Sequence, residues 1–144
     1  MVWQKRFLYD TNTRGKSKIF SLIMEKKKTL VIGASENPAR YSNLAINRLK
    51  NNQHPVVAIG NKAGLVAGID IGTEMIQFKD IDTVTLYLNP ALQKKYYDYI
   101  FSLHPKRIIF NPGTENEELA ALAIKNNIKP MEACTLVLLS TGQY

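Results

Sequence analysis

Residues 29–48 read TLVIGASENPARYSNLAINR, and this stretch sets the architecture of the chain. Leu30, Val31 and Ile32 form a short apolar run that stops at Gly33. The small and polar residues Ala34, Ser35, Glu36 and Asn37 follow, then Pro38 and an amphipathic segment. A buried strand, a tight turn and a helix start make the opening unit of a nucleotide-binding α/β fold. The start of a helix offers unpaired N–H groups and the positive end of its dipole, which suit a phosphate. Gly33 lets the backbone come close to a ligand. Arg40 follows at a position where its guanidinium can meet two phosphate oxygens. The pattern G-x-G-x-x-G is absent, and a lone glycine also fits an α/β turn that binds nothing. The rest of the chain therefore has to carry the reading.

Downstream, Tyr41, Ala45, Ile46 and Leu49 share one helical face, with Asn47, Arg48 and Lys50 opposite. His54-Pro55 ends that helix, and the apolar run 56–59 is a second buried strand closing on Gly60-Asn61-Lys62. Gly64, Gly68 and Gly72 then punctuate a loop anchored by Val66, Ile69 and Ile71. Residues 83–88 are β-branched and aromatic, a third strand stopped by Asn89-Pro90. Leu92, Tyr96, Tyr99, Ile100 and Leu103 recur at helical spacing, a stripe suited to core or to a subunit contact, which leaves a homodimer open. Residues 107–110 are a fourth strand, followed by the turn Asn111-Pro112-Gly113-Thr114 and a helix that opens on Glu115, Glu117 and Glu118. Residues 129–133 are a short fifth strand, and 135–139 a terminal helical piece. Strand and helix alternate and the strands are apolar. That order predicts a doubly wound parallel sheet of about five strands in three α/β/α layers.

Of the 144 residues, 45% are hydrophobic and 22% charged, an ordinary balance for one folded domain. The net charge of +7 invites a nucleic-acid reading. Its distribution argues against one, because residues 1–23 alone hold five cations against Asp10 and leave a net +3 for the remainder. No basic stripe interleaves with aromatics. The leader lacks clear periodicity, so residues 1–23 are read as an extension and the functional domain as residues 24–144. Cys134 is the only cysteine, which fits a reducing compartment, and no stretch has the length of a membrane span. A cytoplasmic, single-domain protein with a small-molecule ligand is the expectation.

In a sheet of this kind, ligands bind at the carboxyl ends of the strands. The candidates there are Gly33, Ala34, Ser35, Asn37, Arg40 and Tyr41 after the first strand, and Lys62 after the second. Asn89 and Pro90 follow the third, Asn111, Pro112, Gly113 and Thr114 the fourth, and Cys134 the fifth. An NAD site places an acid after the second strand to hold the ribose hydroxyl. Asn61-Lys62 stands there instead, which suits a phosphorylated ribose, as in NADP or coenzyme A, and equally a solvated surface lysine. Cys134 falls near a helix start, where a thiolate is stabilised, or is a free buried thiol. His54 and His104 precede prolines in turns, have no paired ligands, and are read as surface residues.

GASENPARYSNLA, VTLYLNP, RIIFNPGTEN and EACTLVLL together resemble the small bacterial CoA-binding proteins of the Rossmann-like CoA-binding domain family. The similarity runs over roughly residues 26–144. The domain also looks like the amino-terminal domain of the succinyl-CoA synthetase alpha subunit, though its first loop holds fewer glycines. The resemblance implies coenzyme A or an acyl-CoA as ligand. Gly33, Ala34, Ser35, Arg40 and Tyr41 would hold phosphates, and Lys62 would sit near the ribose phosphate. Asn89 and Pro90 would pack near the adenine or the pantetheine, with Asn111 to Thr114 and Cys134 facing the arm. The synthetase's phosphorylated histidine belongs to a second domain that has no counterpart here, so the resemblance implies binding without catalysis. The competing class is an enzyme, either an NADP-dependent oxidoreductase or a Cys134-based thiol or acyl-transfer protein.

Overall fold

A computed structural model describes residues 25–144, and the expectation for residues 1–23 lies outside them. The chain runs β1 (Thr29–Ile32), α1 (Tyr41–Asn51), β2 (Val56–Ile59), β3 (Gly64–Val66), β4 (Ile69–Gly72) and β5 (Thr83–Leu86). It continues through α2 (Pro90–Gln93), α3 (Tyr97–Leu103), β6 (Arg107–Phe110), α4 (Glu117–Lys125), β7 (Lys129–Glu132) and α5 (Thr135–Ser140). The spatial order of the sheet is β3-β4-β2-β1-β5-β6-β7. All neighbours are parallel except β3 against β4.

Successive residues of a strand face opposite sides of the sheet, and here both sides are covered. Leu30, Ile32, Val84, Leu86, Ile108 and Phe110 pack on one face with Tyr96, Ile100 and Leu119. Val31 and Ala58 pack on the other with Ile46, Leu49 and Leu139. From β1 the chain winds outward in both directions along the sheet, so the two crossovers place their helices on opposite faces. The central strands β1 and β5 are buried throughout, whereas β7 lies at an edge and tolerates Pro130, which has no N–H for a ladder.

The sheet departs from the five-strand expectation by two strands. Gly64, Gly68 and Gly72 do not punctuate a loop. They bound an antiparallel hairpin whose inner strand, β4, adds to β2 in parallel. Its two turn residues, Ala67 and Gly68, both have positive φ (52° and 80°), the geometry of the hairpin turn that matches strand twist. Asn-Gly or Asp-Gly signals that turn in a sequence, and Ala-Gly does not.

The stripe after the third strand also shifts. α2 and α3 are separated by a 3-10 turn, Lys94–Tyr96. Three residues per turn bring 93, 96 and 99 onto one face. Gln93 is therefore fully buried and Leu92 is 50% exposed, in place of the expected Leu92-led stripe. In α1, Ala45, Ile46 and Leu49 are buried as expected, but Tyr41 is 71% exposed because it opens the helix beyond the sheet edge. Arg48 and Lys50 sit at its last turn, complementing the dipole. The fourth-strand helix begins two residues later than Glu115, where the Asn116 side chain accepts from Leu119 N at 3.1 Å, while Glu115 accepts from Gly113 N at 2.7 Å.

Candidate functional site

The strands are in register, so Ile32, Ile59, Leu86, Phe110 and Glu132 end at one edge of the sheet. The direction of winding reverses at β1, and a cleft of about 650 Å³ opens there, over the ends of β2, β1 and β5. Three segments form its walls. The first is Gly33 to Asn37, with Arg40 and Ser42. The second is Gly60, Asn61 and Lys62. The third is Tyr87, Leu88 and Asn89, with Leu92, Lys95 and Tyr96.

Glycines make this junction. Gly33 has φ +92°, and a Cβ on it would lie 2.8 Å from the backbone C and O of Tyr87. A Cβ on Gly60 would strike the carbonyl oxygen of Ala34. The loops after β1, β2 and β5 thus pack backbone to backbone. Gly33 N and Ala34 N both donate to Ile59 O, at 2.9 and 3.0 Å. Those two amides, expected to hold phosphates, are engaged in fixing the loop. The donors left over belong to α1, whose first amides have no carbonyl partner within the helix. Ser42, on its first turn, stands in the cleft wall.

Beyond the root, Asn37 N donates to Ser35 Oγ at 3.1 Å, and Asn43 Nδ2 donates to Ser35 O at 3.0 Å. Asn37 O accepts from Arg40 N at 3.0 Å, closing the Pro38 turn and bringing Arg40 to the helix mouth. Arg40, Lys62 and Lys95 carry positive charge on the walls, and Glu36 is the one acid there among the described residues. The Glu36 carboxylate is itself engaged, accepting from Leu65 N on β3 at 2.9 Å. Tyr87 forms part of the floor. Its hydroxyl is buried near Thr85 and Thr135 without making a hydrogen bond among the described residues, and burial pushes its ionisation well above the usual phenol range.

Of the residues expected from sequence, Gly33, Ala34, Ser35, Asn37, Arg40, Lys62 and Asn89 come together on the cleft. Tyr41 and Pro90 flank it without lining it. Asn111, Pro112, Gly113, Thr114 and Cys134 do not line it, because β6 and β7 stand two and three strands from β1. At the usual strand spacing that is about 10 and 14 Å. Asn111, 2% exposed, is a bolt instead. Its Nδ2 donates to Thr85 Oγ1 (2.6 Å) and Leu86 O (2.9 Å), and its Oδ1 accepts from Thr135 N (2.9 Å). Thr114 O accepts from the buried Gln93 Nε2 at 2.7 Å, joining that loop to the cleft's third wall. Cys134 is the half-buried residue preceding α5, and its side chain makes no cap hydrogen bond.

Glu36, Ser42, Tyr87, Leu88, Leu92, Lys95 and Tyr96 are not among the expected site residues. Tyr87 and Leu88 look like strand interior in the run 83–88, yet the strand ends at Leu86 and both pass over the edge. Lys95 reaches the cleft only through the 3-10 turn. At the opposite, amino edge, His54 is not a plain surface residue. Its Nδ1 accepts from Lys27 N at 2.9 Å and its ring lies 4.8 Å from that of Tyr144. Burial first, then the charges of Lys26, Lys27 and Arg107, push its pKa down to about 4. His104 is exposed. Among the described residues no three His, Cys, Asp or Glu side chains are grouped to hold a metal, and no helix is long and apolar enough to cross a membrane.

Solved structures resemble the chain over most of its length. One described as an uncharacterized protein is 50% identical, with a TM-score of 0.81, and the match covers 83% of this chain and 98% of that one. A hypothetical protein from Pyrococcus horikoshii OT3 is 22% identical, with a TM-score of 0.74 and coverage of 87% and 89%. The dinucleotide forming acetyl-coenzyme A synthetase 1 of Ca. Korarchaeum cryptofilum, solved with phosphate and ADP, is 17% identical at a TM-score of 0.61. There the match covers 78% of this chain and 27% of that one. The last two share the fold. None of the curated proteins matches the sequence. The family profile described as "CoA binding domain" matches residues 27–140, which takes in every strand and helix of the described residues and all three walls of the cleft. With that span, the chain belongs to the CoA-binding domain family.

Proposed function

We propose that the cleft binds coenzyme A or an acyl-CoA, and that the chain acts as a binding module without chemistry of its own. The observation that carries this reading is the junction at the switch point of the sheet. Gly33 brings bare backbone to the floor, and Arg40, Lys62 and Lys95 surround it with positive charge. A space of about 650 Å³ is in the range of small-molecule sites. In this reading Arg40, Ser42 and the start of α1 hold the pyrophosphate, and Lys62 holds the ribose phosphate. Leu88, Leu92 and Tyr96 give the adenine or the pantetheine an apolar surface, beside Asn89. The bolt of Gln93, Asn111 and Thr114 supports the third wall from behind. A non-catalytic role is favoured by the described lining, whose one carboxylate is bonded to a backbone N–H and forms no ion pair among the described residues.

Calorimetric titration with coenzyme A, its dephospho form and NADP tests the reading. Coenzyme A is expected to bind, and removal of the ribose phosphate to weaken binding through the loss of the Lys62 contact. Equal affinity for both forms would remove Lys62 from the site. Binding of NADP without binding of coenzyme A would replace the reading with the oxidoreductase class.

A further inference from the structure

We propose that Glu36 is a positioning residue: its carboxylate pins the first cleft loop to the β3–β4 hairpin and is thereby held off the ligand's phosphates. The inference rests on the coenzyme A reading of the cleft. Three observations meet at Glu36. Its Oε2 accepts from Leu65 N at 2.9 Å. A Cβ on Gly64 would overlap Glu36 Cγ and Cδ, so the bare Gly64 backbone is the seat on which this side chain lies. Among the described residues Glu36 is also the one acid of a cleft whose three walls carry Arg40, Lys62 and Lys95.

The rest of the loop is held elsewhere. Gly33 and Ala34 are bonded to β2, and Ser35 to Asn43 of α1. The Glu36 carboxylate joins it to the hairpin at the sheet edge. A free carboxylate at this point would be drawn to the same cations that serve an anionic ligand, and would compete with it. Bonded to the outward N–H of an edge strand, it leaves those cations to the ligand and keeps the loop's span constant. The hairpin, an element the sequence pattern did not announce, takes part in binding through this contact.

The test uses the full chain with Glu36→Gln, Glu36→Ala, Gly64→Ala and the Glu36→Ala/Gly64→Ala double variant. Circular dichroism confirms folding. Calorimetry gives coenzyme A affinity, and hydrogen exchange reports the Leu65 amide. Gln keeps an acceptor oxygen and drops the charge, so Glu36→Gln is expected to bind as tightly as the parent or more so, with Leu65 still protected. Glu36→Ala is expected to weaken binding roughly five- to tenfold, the scale of one hydrogen bond, with faster exchange at Leu65. Gly64→Ala, which unseats the Glu36 side chain, is expected to do the same alone and to add nothing in the Glu36→Ala background. The proposal is overturned if Glu36→Ala binds as well as the parent or better, or if Glu36→Gln fails as badly as Glu36→Ala. Should the parent itself not bind coenzyme A, the ligand reading falls, and Leu65 exchange still decides the brace. Unchanged protection in Glu36→Ala overturns it, and lost protection specific to Glu36→Ala and Gly64→Ala upholds it.

Discussion

The two ends of the sheet differ in what their polar groups do. At the amino edge side chains hold one another, with Arg107 Nη2 alone in that cluster buried without a hydrogen-bond partner among the described residues. Arg107 Nε donates to Thr83 Oγ1 at 2.8 Å, and its guanidinium lies 4.4 Å over the Tyr144 ring. The Tyr144 hydroxyl meets Thr29 Oγ1 at 2.5 Å, and Lys106 pairs with Asp82 at 3.7 Å. At the root of the cleft, on the carboxyl edge, the backbone does the holding, through Gly33, Ala34 and Ile59, and the cations of the cleft walls face open space. The amino-edge cluster invests its side chains in stability, whereas in the proposed reading the cleft keeps its cations for a ligand, with Asn111 and Gln93 bracing the wall behind it. Substitutions of the amino-edge cluster and of the cleft cations should therefore separate into effects on folding and effects on binding.

The largest effect is expected where both roles coincide. Gly33→Val places a branched side chain at φ +92° and against the Tyr87 backbone. Strain of about 1–3 kcal/mol in stability is expected, together with loss of measurable coenzyme A binding. Thermal melts and titration read the two separately, and a variant that binds like the parent would take the first loop out of the site. Next comes Arg40→Ala, expected to cost about 1.5–3 kcal/mol of binding with little change in stability, since this side chain is exposed. Arg40→Lys should recover only part of the loss, because an ammonium lacks the planar fork. Indistinguishable dissociation constants for the parent and both variants would remove Arg40 from the site.

The amino edge should answer in the opposite way. Tyr144→Ala removes the ring between Arg107 and His54 and the bond to Thr29. A stability loss of about 1–2 kcal/mol is expected with coenzyme A affinity unchanged. A drop in affinity comparable to the drop in stability would break the division between the edges.

A pH dependence of at most comparable size is expected from the same cluster. His54 is neutral in the folded protein down to about pH 4, whereas the unfolded ring takes a proton near 6.5. Between those values the unfolded state binds more protons. The stabilisation is complete above pH 6.5 and is lost as pH falls toward 4. Discounted for the ring's partial contact with water, this is on the order of 1–2 kcal/mol. Denaturant melts across that range should show a shallower decline for His54→Asn than for the parent, and parallel curves would clear His54 of the effect.

Much of this architecture is legible in the order of the residues. Strands buried on both faces write themselves as uninterrupted apolar runs. The runs 56–59 and 107–110 have the bounds of β2 and β6, and Leu30 to Ile32 fall within β1. The turn chemistry of Gly33 and of Asn89-Pro90 marks two of the three cleft walls, and Lys62 the remaining one. These are local properties, set by a few neighbouring residues. What local chemistry does not supply is which strand ends become neighbours. Asn111 to Thr114 and Cys134 obey the same rule as Gly33 but stand two and three strands away, because the spatial order is fixed by pairing across the whole chain. The same holds for the hairpin, whose inner strand joins the sheet along the edge of β2, and for Lys95, carried to the cleft by the 3-10 turn that follows buried Gln93. Residue order thus dictates the elements and the chemistry at their ends. Which of those ends share a cleft is settled in three dimensions, since adjacency depends on contacts between residues far apart in the chain.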